Sequence, residues 1–267
     1  MSDFIFPLHK DVTMSDQDPY VAGITTETAD PSAIAADRAL TPGRLLAALA
    51  IAFLLGWGYN TFVPKFFSVP VELLNVQPTS PPEEQRKLAE SEAQTRLGNG
   101  LIHFMSLGLA LGLVPVLAGM GRSAGLTALV GIVAGLIGGA AAWFMGARVR
   151  DMVDASYPFP LLGDVSNNMG GDCLVWAIST FMLSLPLVVG LLLFAGKHGM
   201  QMASRVPLVA IFAGVLLPFL ATFIFPLQRS DRVPLLHPGM LGLWLATTIV
   251  LWGLVILAVQ RVSKPKA

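Results

Sequence analysis

Leu126 to Ala147, LTALVGIVAGLIGGAAAWFMGA, is an uncharged run of 22 residues that carries Gly131, Gly135 and Gly139 at intervals of four. As an α-helix it is about 33 Å long, enough to cross a bilayer core of about 30 Å. Ala134, Gly138, Ala142 and Gly146 form a second row of small residues beside the first. One side of the helix therefore lacks bulk, and a neighbouring backbone can approach it closely. Such a surface is a packing device and specifies no chemistry.

Working outward, the same pattern recurs. Leu101–Met120 carries Gly108 and Gly112 four apart, and only Gly121 to Gly125 separates it from the glycine-rich run. The two segments are expected to form an antiparallel hairpin, a glycine zipper whose packing residues are Gly108, Gly112, Gly131, Gly135 and Gly139. Four further apolar runs, 44–62, 174–195, 206–226 and 240–260, complete a set of six spans together with 101–120 and 126–147. The expected fold is all-α: a polytopic membrane domain over 44–260 with six transmembrane helices. Pro115, Pro186 and Pro218 fall inside spans two, four and five and should kink them.

The remaining segments are polar. Residues 1–43 hold seven acids against Lys10 and Arg38 and little bulky apolar material, the composition of a disordered tail. Residues 261–267 form a short basic tail. Ser80-Pro81-Pro82-Glu83-Glu84 opens a helix signal over 81–97, with Glu83/Lys87, Arg86/Glu90 and Glu92/Arg96 at pairing distance, and Gly98-Asn99-Gly100 is expected to break it. The loop from Arg148 to Cys173 begins as a helical extension, with Arg148/Asp151 and Arg150/Asp154 at favourable spacing. It ends in a polar, turn-rich stretch where Asp172 is placed to cap the fourth span.

Composition restricts function more than it assigns it. With 54% hydrophobic and 13% charged residues the chain belongs to the membrane class. Its 17 basic and 17 acidic residues leave no concentrated positive surface for a nucleic acid. A single cysteine, Cys173, excludes a disulfide within the chain and any cluster of thiolates around a metal. No acid lies within the six predicted spans, which counts against an ion-coupled carrier built on a membrane carboxylate. Neither G-x-S-x-G, H-E-x-x-H nor a P-loop occurs, so no catalytic residues, metal or cofactor are assigned.

Weak site candidates remain. His103 and His237 both fall near one boundary of the bilayer, where two imidazoles facing one another suit a haem iron or, with an outer-loop carboxylate, a metal ion; a solvated or hydrogen-bonded helix-end histidine is the plainer reading. Asp164, Asn167, Asn168 and Asp172 gather oxygens in one loop without the spacing of a calcium site. Asn60 at the end of the first span is positioned to hydrogen-bond to a neighbouring helix.

The 121–125 and 196–205 connections and the C-terminal tail carry bases and no acid, while the opposite loops hold eight bases and ten acids. This favours both termini in the cytoplasm, in a membrane of the bacterial inner type. The expected partners are the lipid bilayer and other membrane-protein subunits. The expected role is a non-enzymatic structural, assembly or accessory subunit, with a small-solute transporter or channel among helices two, four and five as the main alternative. A bis-histidine redox subunit is a weaker one.

Overall fold

The structure, a computed structural model, describes residues 41–62, 66–121, 123–156, 169–225 and 238–263. The acidic N-terminal stretch, His237, Asp164, Asn167, Asn168 and the C-terminal lysines lie outside these residues. Within them every regular element is helical. The order is α1 (Pro42–Phe62), α2 (Pro82–Gly112), α3 (Val114–Leu117), α4 (Ala124–Ser156), α5 (Met169–Phe194), α6 (Gly196–Ala203), α7 (Val206–Ile224) and α8 (Pro238–Ser263), with a 3₁₀ turn at Val71–Leu73. Six spans among the described residues are long and apolar enough to cross a membrane.

These six pack in chain order. α1 lies on α2, α2 on α4, α4 on α5, α5 on α7 and α7 on α8, and α8 returns to α1, so the helices close a ring that α2 and α5 also bridge. Bulky side chains fill the interior, among them Leu49, Phe104, Leu187, Trp176 and Trp244. Rings meet across helices as Phe104 with Trp143 at 5.9 Å, Trp176 with Trp244 at 5.3 Å and Phe53 with Trp252 at 5.6 Å. The outward surface is apolar as well: Leu54 is 65% exposed, and Leu129, Ile137, Phe212, Phe223 and Val250 also lie open. Water offers no stabilisation for such a belt, whereas acyl chains do.

Close approach is set by glycine. A methyl group added to Gly108 would meet the carbonyl oxygen of Gly135 and the backbone of Gly139; one on Gly112 or Gly131 would meet the other's carbonyl, and one on Gly139 would meet that of Phe104. The second small-residue row faces a different helix. Gly138 accommodates the ring of Pro186 on α5, and Gly146 faces Ser179. α4 is thus smooth on two sides and is held between α2 and α5.

Pro186 and Pro218 lie inside α5 and α7, and the prolines also enter the packing between helices. Pro115 ends the regular run of the second span, since α2 stops at Gly112 and the short α3 follows. Its ring fills the space beside Gly190, as that of Pro186 does beside Gly138. Pro186 deprives the carbonyl of Met182 of its helical donor, and that carbonyl lies beside Gly138. Proline and glycine therefore pair as knob and notch across helices.

A second departure concerns residues 98–100. The expected break does not occur: α2 runs unbroken from Pro82 to Gly112. Its glycines make room for aromatic rings, Gly98 for Phe67 and Gly100 for Trp143. Asn99 lies between them and pairs with the backbone of Phe67 on both sides, accepting from its N–H at 3.1 Å and donating to its carbonyl at 2.8 Å. Packing on both faces outweighs the cost of about 1 kcal/mol for each helical glycine.

Gly135→Leu should therefore remove at least about 3 kcal/mol of stability, since backbone stands opposite and no side chain can swing away. Leu129→Ala, on the exposed face of the same helix, should change it by less than about 0.5 kcal/mol. Thermal unfolding of the two variants in detergent, followed by circular dichroism, would separate them; equal midpoints would refute the glycine contact as a determinant of stability.

Candidate functional site

Hydroxyl groups buried within the bundle mostly answer to their own helix. Thr180 donates to the Trp176 carbonyl at 2.6 Å, Ser184 to Phe181 at 2.6 Å and Thr248 to Trp244 at 2.8 Å. This satisfies the donor without a partner helix and leaves the chemistry silent. Two groups of polar side chains behave otherwise, both toward the end of the bundle where α1 terminates.

The first joins α4 to α5. Arg150 Nη2 donates to Asp172 Oδ1 at 2.7 Å, with the side chains only 18% and 11% exposed. Arg150, spaced for Asp154 along its own helix, bonds to Asp172 at the start of the next one. The reason lies in where α5 begins. Helix starts at Met169, so Asp172 is inside the first turn rather than before it. There the helix dipole favours its charge, and Gly171 admits Val153 so that the two helix ends draw together. A partly buried, charge-assisted bond gains more than an exposed i, i+4 pair worth about 0.3 to 0.5 kcal/mol. Arg150 and Asp172 lie toward the ends of helices that hold candidate spans, outside the apolar runs 126–147 and 174–195. Arg150 Nε remains buried without a partner. Cys173, next in the chain, is a free buried thiol whose Sγ lies 3.5 Å from the carbonyl of Val215 on α7.

The second group joins α1 to α2. Asn60 Nδ2 donates to the Gly56 carbonyl at 2.8 Å and to Ser106 Oγ at 3.2 Å, and Ser106 in turn donates to the His103 carbonyl at 2.7 Å. Asn60 Oδ1 and Thr61 Oγ1 are buried with no hydrogen-bond partner. Elsewhere Ser179 Oγ and the indole nitrogens of Trp143, Trp244 and Trp252 share that condition. Each such group loses hydration without replacement, at about 1 to 3 kcal/mol.

Of the residues picked out from sequence, Gly108, Gly112, Gly131, Gly135 and Gly139 come together in one helix contact, and Asp172 meets Arg150. His103 contributes its carbonyl to the Ser106 bond, while its prospective partner His237 lies outside the described residues. So do Asp164, Asn167 and Asn168. Among the described residues no three His, Cys, Asp or Glu side chains converge as a metal site. Sequence reasoning missed the Arg150–Asp172 bond because it placed Asp172 outside the helix. Opposite charges at adjoining ends of two consecutive spans were the available signal. No family model, curated protein or solved structure matches the chain.

The ion pair gives a direct test of structural against chemical importance. Asp172→Ala leaves a buried guanidinium uncompensated and should cost about 3 to 5 kcal/mol, whereas Arg150→Met with Asp172→Leu should recover most of that loss. Thermal midpoints of the single and double variants decide it: a double variant as unstable as the single would mean that the charges hold something other than each other.

Proposed function

We propose that this chain is a multi-pass integral membrane protein that serves as a non-enzymatic structural, assembly or accessory subunit of a membrane complex. The glycine contact of α2 and α4 forms its rigid hairpin in the bilayer, and the termini lie on the cytoplasmic side of a membrane of the bacterial inner type. The observation that carries this reading is the seating of Pro115 against Gly190 and of Pro186 against Gly138. A route for solute between the second and fourth spans needs space where the Pro115 ring sits, and one between the third and fourth needs space where the Pro186 ring sits. The apolar side chains that fill the ring interior support the same reading.

One observation favours the transport alternative. Arg150 and Asp172 form an ionisable pair on two helices that hold candidate spans, and such groups accompany solute or proton paths in many membrane proteins. The pair stands at the ends of its two helices, three residues into α5, where tying helix ends together is sufficient reason for it.

Two measurements test the proposal. Affinity isolation from native membranes should recover further membrane subunits in fixed ratio with this chain. Liposomes containing the purified protein alone should show no saturable flux of ions or small solutes above protein-free vesicles. Saturable flux abolished by Asp172→Asn would replace the accessory reading with the carrier reading.

A further inference from the structure

Between α1 and α2 the chain from 66 to 74 reads FFSVPVELL. Phe66 is 60% exposed, Val71 74% and Leu74 64%, and Phe62, which ends α1, is 76% exposed. A short connection carrying this much open apolar surface is out of place in water. Its level along the bundle is fixed from both ends. The Asn99 bonds hold the Phe67 backbone against α2, and the apolar run of that helix begins two residues further on at Leu101, about 3 Å away along the axis. On the other side, only three residues separate Phe66 from the last turn of α1. Both attachments therefore lie where the apolar spans meet their boundary.

Charge divides the connection in the same way. Glu72 is the one charged residue between Phe66 and Pro82, whereas Glu83 to Arg96, on the part of α2 that projects past the boundary, holds seven. The segment at bilayer level is apolar, and the segment that leaves it is charged. Pro42, where α1 begins, lies at the opposite end of a helix about 30 Å long.

We propose that residues 66–74 form an interfacial foot that lies on the bilayer surface, with Phe66, Val71 and Leu74 among the glycerol and upper acyl groups of the lipid and Glu72 in water. The partner is lipid, and the surface continues the apolar belt that α1 presents through Leu54, Leu55 and Phe62. This inference rests on the reading of the chain as membrane-spanning. Asn99 is then a positioning residue that sets the depth of the foot.

The test uses the full chain in phosphatidylcholine vesicles, with Cys173 left in place because it is buried. Val71→Cys, Leu74→Cys, Thr79→Cys and Leu54→Cys are each spin-labelled, and collision with oxygen is compared with collision with a water-soluble nickel chelate. Labels at 71 and 74 should favour oxygen several-fold over the label at 79 and lie shallower than the label at 54. Nickel access at 71 and 74 equal to that at 79, with 54 shielded, overturns the foot, including the case in which another protein normally covers it. Nickel access at 54 as well overturns the membrane reading itself, a separate outcome. A readout without substitution uses a lipid with a photoactivatable carbene precursor near its glycerol. Tagging of the 66–74 peptide supports the foot, and tagging of α1 without that peptide overturns it.

Discussion

Where α2 crosses α4, the carbonyl of Gly108 comes to rest against Gly135 and that of Gly112 against Gly131, with no side chain between the two backbones. In a bilayer, the setting proposed for this chain, bringing two helices together brings no hydrophobic gain, because acyl chains are as apolar as leucine. What stabilises the contact is dispersion over a large number of atom pairs at short range, together with Cα–H to carbonyl contacts. Both terms fall steeply with distance. A single methyl group on this surface separates the helices along their length.

The other helices depend on that separation. Because α4 presents a second smooth side to α5, the placing of α2 on α4 also determines how α5 reaches α2 across the ring. The prolines then become parts of the packing. Pro186 seats against Gly138 only if α4 and α5 are close, and Pro115 seats against Gly190 only if α3 is carried to α5 by the end of α2. The Arg150–Asp172 bond closes the far end of the α4–α5 contact, where Gly171 and Val153 touch. Glycine sets the spacing, proline fills the notches and one ion pair ties the ends.

Much of this was legible in the residues. The six apolar runs gave the helices because a bilayer-length stretch without charge has few other uses, and the intervals of four marked which helices offer smooth faces. The legible part stops where one residue type serves two purposes. Gly98 and Gly100 read as a helix break, since glycine is a poor helix former in isolation, yet here they admit Phe67 and Trp143 within an unbroken helix. That outcome depends on aromatic residues more than 30 positions away, which local pattern does not reveal. Asp172 read as a cap for a similar reason: the helix begins at Met169 within a polar stretch, and the partner on α4 is not visible in the local pattern.

The polar groups without partners are the counterpart of this packing. Ser179 lies against Gly146 in a contact close enough to exclude a second residue, and its hydroxyl has no acceptor there. Trp143 presses its ring on Gly100 and Phe104 and leaves its N–H unmatched. In each case the side chain is placed by its shape and its polar atom is carried along. A bundle selected for solute binding would arrange such atoms to converge, as Asn60 and Ser106 do on a small scale. Among the described residues the partnerless atoms belong to α1, α4, α5 and α8. Such atoms are what close packing leaves behind when side chains are seated by shape and the hydrogen-bonding capacity of their polar ends is given up to it.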